Sequence, residues 1–201
     1  MTAKRSWRSV LLGVLVSAIV GLVLLAALAV AATTTHLEPG ERATLVTAPE
    51  VIKGLEGDFA RVQQAFGTRR TRGGGVELSY DGLSRRRLRV KSWARLEPTP
   101  EVAARTFSSW AADGLANAGF DAKAWGTRPC ELTLGLGDQS SCLLLTEGEE
   151  RAGTFLVVRA KERLLIVLVI GAWFSDADEL RELLTPHLDA LAALKPLSVF
   201  D

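Results

Sequence analysis

The chain has 201 residues, with 24 Lys and Arg against 23 Asp and Glu and 48% hydrophobic side chains. A net charge of +1 supplies no global field to attract a polyanion, so charge balance excludes an argument for nucleic-acid binding. Residues 1–9 form a short basic stub, with Lys4, Arg5 and Arg8 and no acid before Glu38.

Residues 10–32, "VLLGVLVSAIVGLVLLAALAVAA", carry no charge, proline or amide side chain. A helix rises roughly 1.5 Å per residue, so this run covers the roughly 30 Å hydrocarbon core of a bilayer. The basic stub orients the span with the N-terminus in the cytoplasm and the rest outside. Ala29-Val30-Ala31 offers an A-x-A cleavage site. The apolar stretch of a signal peptide usually stops at about 7 to 15 residues, so an uncleaved single-pass signal anchor is expected. Gly13, Ser17 and Gly21 recur every four residues and mark a candidate dimer face on that helix.

Residues 33–49 are polar, contain two prolines and hold no period, which predicts a tether. The remaining residues, 50–201, suit one domain with one core. "TAPE" at Thr47 to Glu50 fits a capping box. Ile52, Leu55, Phe59, Val62 and Phe66 follow at helical intervals, so a helix ending at Gly67 is expected, weakened by Gly54 and Gly57. "VELSYDG" (76–82) and "RRLRVKSWARLE" (86–97) read as paired strands.

A second helix opens at Thr99 and Pro100 and stops before Gly119, with Ala103, Phe107, Trp110, Ala111, Leu115 and Ala118 on its buried face. "CELTLGL" and "SCLLLTE" read as a hairpin about Leu136, and residues 154–174 as a second hairpin turning at Lys161 to Arg163. Leu164 to Phe174 is too short to span a bilayer and reads as a central strand buried on both faces. A last helix starts at Ser175 with a leucine stripe from Leu180 to Leu194, which Pro186 is expected to kink or restart. Consecutive hairpins with intervening helices predict an α+β fold: a mainly antiparallel sheet with about three packed helices.

The hairpin reading sets Cys130 opposite Cys142, within disulfide reach. They are the only cysteines, and His36 and His187 lie far off in sequence, so no zinc set is expected. The spacing is not C-x-x-C, and an exported segment favours a structural disulfide.

Residues 69–95 hold nine basic and two acidic side chains, whereas residues 96–201 hold nine basic and sixteen acidic ones. Period two projects Arg87, Arg89, Lys91, Trp93 and Arg95 to one side of their strand. With Arg69, Arg70 and Arg72 in the preceding loop, they form a candidate face for an anionic envelope surface or an acidic protein partner. The competing reading is a solvated strand face whose charges pair with neighbouring acids. "GTRRTRGGG" lacks the lysine and hydroxyl of a phosphate-binding loop and is expected to be a mobile loop.

His187 is expected to be exposed or in a terminal turn, and Trp110 and Trp173 in the core. No catalytic signature, cofactor motif or metal-ligand spacing occurs. The expected role is a membrane-anchored, extracytoplasmic binding or assembly domain. The alternatives are a membrane-tethered hydrolase with dispersed catalytic residues and a cleaved, secreted binding protein.

Overall fold

The computed structural model describes residues 37–53, 62–84, 88–130 and 132–195. The expected membrane span 10–32 and its candidate face Gly13, Ser17 and Gly21 lie outside the described residues, as does Arg87. Among the described residues no helix is long and apolar enough to cross a membrane.

Seven strands form one sheet: β1 Val62–Arg70, β2 Val76–Ser84, β3 Arg89–Leu96, β4 Gly126–Pro129, β5 Gln139–Glu147, β6 Glu150–Ala160 and β7 Arg163–Ile170. Their spatial order is β1-β2-β3-β7-β6-β5-β4, and every neighbouring pair is antiparallel. Four α-helices complete the described fold: α1 Pro39–Arg42, α2 Ala48–Lys53, α3 Pro100–Asn117 and α4 Ala177–Ala193. The chain is thus a mainly antiparallel α+β structure.

The run Arg163–Ile170 becomes the middle strand because both its faces are covered. Leu164, Ile166 and Leu168 pack with Trp110 of α3, while Leu165, Val167 and Val169 pack with Leu180 and Leu184 of α4. Burial on both sides explains why the strand is apolar without alternation. Lys161 takes a positive φ of 55° in the two-residue turn that joins it to β6.

α3 follows its sequence signals. The Thr99 hydroxyl accepts from the Val102 amide at 3.3 Å, and Pro100 occupies the first turn, where no N–H is missed. Its face carries Trp110 onto Trp93 (ring centroids 5.1 Å) and Phe155 (6.4 Å). Asp113 leaves helical geometry, and Gly114 sits against the Phe155 ring.

Several expectations change. The first expected helix is described over Ala48–Lys53, and Val62 to Arg70 is a strand. Val62 and Phe66 are four apart, a spacing that satisfies period two as well as a helix, and β-branched Val62 and Thr68 favour the strand. Phe66 meets Tyr80 of β2 at 5.1 Å between centroids.

The stretch from Leu37 to Ala48 is packed on the sheet, not a free tether: its few apolar side chains, Leu37, Leu45 and Val46, are buried. The Ala48 amide donates to the Tyr80 hydroxyl, and Ser92 donates to the Val46 carbonyl. "GTRRTRGGG" is not the expected mobile loop. Gly67 to Arg70 belong to β1, and a tight turn follows in which the Thr71 amide bonds the Gly75 carbonyl at 2.8 Å.

Residues 132–136 are not a strand. Leu132, Leu134 and Leu136 turn into the core on the α4 side, and Arg181 donates to the Thr133 and Leu134 carbonyls. The period-two pattern is real there, but it serves a covering loop. α4 runs through Pro186 as one helix, with the proline on its exposed side.

Candidate functional site: a groove beside Trp173

Cys130 and Cys142 are joined in a disulfide, with Cα atoms 5.3 Å apart. The Cys130 amide also bonds the Cys142 carbonyl at 3.0 Å, so the bridge extends the β4–β5 pairing by one position.

The basic strand is brought together in an unexpected way. Arg89, Lys91, Trp93 and Arg95 do share one face of β3, but α3 and the chain following it lie over that face. Trp93 is 9% exposed, packed under Trp110. Arg89 bonds both carboxylate oxygens of Asp81, at 3.0 and 2.7 Å, and that bond holds its guanidinium above the ordinary arginine value.

Lys91 donates to the Ala118 carbonyl at 3.1 Å and lies 5.0 Å from the Phe120 ring centroid. Burial pushes its ammonium below the usual lysine value, against the opposing pull of Asp81. Arg95 bridges Glu77 and Glu97 at 3.5 and 3.0 Å, and Arg69 bonds Glu77 at 2.6 Å. Glu97 in turn accepts from Thr106 of α3.

Lys91 and Arg95 are thus largely covered and paired with acids, whereas Arg89 and Arg69, paired with Asp81 and Glu77, keep side chains 37% and 68% exposed. Pairing with neighbouring acids holds for Arg89, Lys91 and Arg95, with burial replacing solvent at Lys91 and Arg95 but not at Arg89. Arg70 and Arg72 remain exposed at the β1–β2 turn.

A concave surface lies elsewhere. A groove of about 470 Å³ is lined by α2, α4 and the β7–α4 connection. This is the size of small-ligand sites. Gly171, with φ 88°, ends β7, and the Phe174 amide donates to Thr154, so the intervening Trp173 is carried out of the sheet. Trp173 is 46% exposed, one of two large hydrophobic side chains so exposed among the described residues.

From α4, positions 179, 182, 183, 186 and 187 recur at three- and four-residue intervals, so Glu179, Glu182 and Leu183 face the groove on one stripe with Pro186 and His187. From α2 come Glu50, Val51 and Lys53. A second hollow of about 340 Å³, with Trp125 and Arg151 in its wall, shares Trp173.

His187 is the polar centre of the groove. It is 5% exposed, and its Nδ1 lies 2.8 Å from the Ala43 carbonyl. A carbonyl only accepts, so Nδ1 carries the hydrogen, and Nε2 is the ring atom turned toward Glu50. Nε2 lies 3.7 Å from Glu50 Oε1. The other oxygen, Oε2, accepts from both the Thr47 amide and the Thr47 hydroxyl.

His187 thus departs from the expected exposed position. The stripe Leu180, Leu184, His187, Leu191 has core spacing throughout and is the sequence signal for its burial. Trp173 departs in the other direction, and Gly171 is the signal for a strand that ends early. Among the described residues no three His, Cys, Asp or Glu side chains converge as a metal-ligand set.

No family model matches the chain, and no curated protein matches it in sequence. Its fold is similar to the extracellular domain of PknH from Mycobacterium tuberculosis, with a TM-score of 0.51 and 10% identity. The match covers 80% of this chain and 100% of that one. At that identity the likeness is one of fold.

Proposed function

We propose that this protein is a membrane-anchored, extracytoplasmic binding domain whose ligand site is the Trp173 groove. The groove carries the reading: a half-exposed indole beside an apolar wall, with a few polar groups including a buried, hydrogen-bonded histidine, has the make-up of a small-ligand site. The apolar run 10–32 behind Lys4, Arg5 and Arg8 supports the anchor and the outward orientation. The disulfide supports an oxidising compartment. The fold likeness to a domain described as extracellular agrees with that placement.

The test is ligand perturbation of Trp173. The full-length chain, in neutral-lipid nanodiscs and labelled with fluorotryptophan, is titrated with a panel of sugars, amines, carboxylates and short peptides. A Trp173→Phe variant assigns the signal among the five tryptophans of the chain. The expected result is saturable movement of the Trp173 signal by at least one panel member, with binding of that member weakened by Trp173→Ala. A panel that leaves Trp173 unmoved while the protein is folded overturns the groove as a ligand site.

A further inference from the structure

We infer that the groove takes an organic cation, a primary ammonium on an apolar body, with the ammonium seated between Glu50 Oε1 and His187 Nε2. This rests on the reading of the groove as a ligand site and adds the chemical class of the ligand. The two atoms lie 3.7 Å apart, too far for a hydrogen bond between them, and with an uncharged imidazole both are acceptors.

His187 has already given its Nδ1 hydrogen to Ala43, and Glu50 has taken both Thr47 donors on its other oxygen. Glu50 keeps a 44% exposed side chain, so the donor that the pair takes comes from solvent or from a ligand. An ammonium carries three and bonds both atoms at once. A neutral hydroxyl has one hydrogen to give, and a carboxylate has none.

Charge and shape agree. Glu50, Glu179 and Glu182 line the groove against the single cation Lys53, so its potential is negative. Val51, Leu183 and Phe174 supply an apolar wall for the body of the ligand, and the exposed Trp173 ring offers a face to cation or hydrocarbon alike. Inorganic cations fit less well, since no three ligating side chains converge among the described residues.

The experiment uses the fluorotryptophan-labelled full-length chain in neutral-lipid nanodiscs, with empty nanodiscs subtracted. Phenethylamine, 2-phenylethanol and phenylacetate share a shape and differ in charge. Phenethylamine is expected to move the Trp173 signal saturably and to bind about tenfold or more tighter than 2-phenylethanol, with phenylacetate weaker still. Glu50→Gln keeps the side-chain shape and is expected to remove that preference for the amine. The remaining tryptophan signals report whether the variant is folded, and Glu182→Gln serves as a second, exposed charge removal with a smaller effect.

Equal binding of all three probes at Trp173 overturns the cation assignment and leaves the groove as a binding site. A preference for the amine that survives Glu50→Gln overturns the seat. Silence from all three overturns the assignment, and the wider panel then decides whether the groove binds anything.

Discussion

Gly114→Ala adds one methyl group in the middle of α3, and its effect sets two magnitudes against each other. Alanine is favoured over glycine in a helix by about 1 kcal/mol. The added Cβ, however, would lie 2.2 Å from Cε1 and Cζ of Phe155, well inside van der Waals contact. Phe155 is buried and stacked beside Trp110, so its ring has no free space to enter.

Overpacking of this kind costs roughly 1 to 3 kcal/mol, and the non-helical Asp113 next door limits the propensity gain. The net expectation is a loss of about 1 to 2 kcal/mol, or roughly 4 °C in Tm for a domain of this size. Thermal unfolding followed by near-ultraviolet circular dichroism measures it. In a Phe155→Ala background the same substitution should become neutral or stabilising. A stabilising effect in the unaltered chain would refute the close seating of α3 on β6.

Other perturbations separate the remaining parts of the structure. Tyr80 is the chain's single tyrosine, so phenolate absorbance reads it alone. Burial raises its pKa above the ordinary 10.0, so its contribution is fully present below that value and is lost as pH rises through the folded-state pKa. An absorbance titration with an ordinary midpoint would contradict its burial, and Tyr80→Phe should flatten the alkaline loss of stability. Arg95→Met leaves the buried Glu97 without a cation, while Glu77 keeps Arg69, and should cost about 3 kcal/mol in urea unfolding. A neutral outcome would mean that the acids are hydrated. Replacing Cys130 and Cys142 by alanine opens a loop with a sequence separation of 12 and should cost about 3 kcal/mol. An unchanged urea midpoint would show that the loop is pinned without the bridge.

The elements legible in the sequence are those where several local signals agree. Thr99, Pro100 and Gly119 bracket α3, and the unbroken apolar run of β7 announces burial on two sides. The cysteine pairing follows from the two glycines between them, although the intervening chain covers the core instead of forming a strand.

Legibility fails where one spacing serves two geometries. Val62 and Phe66 fit a helix and a strand equally, and only pairing with β2 decides between them. The alternation of Arg89, Lys91, Trp93 and Arg95 does assign them to one face, but no local pattern says that α3 returns to cover it. The groove is illegible for the same reason. Its walls come from segments far apart in the chain, and the contact of His187 with Ala43 spans 144 positions.

The central claim, an extracytoplasmic domain closed by a disulfide, is tested most directly by the redox state and side of the two cysteines in intact cells. They are the only thiols in the chain, so labelling is unambiguous. The full-length protein is treated with membrane-impermeant and membrane-permeant thiol reagents, with and without prior reduction, and read by gel shift. An extracytoplasmic domain with a closed bridge labels with the impermeant reagent, and only after reduction. Labelling without reduction, by the permeant reagent alone, would put the domain in the cytoplasm and contradict the proposed placement.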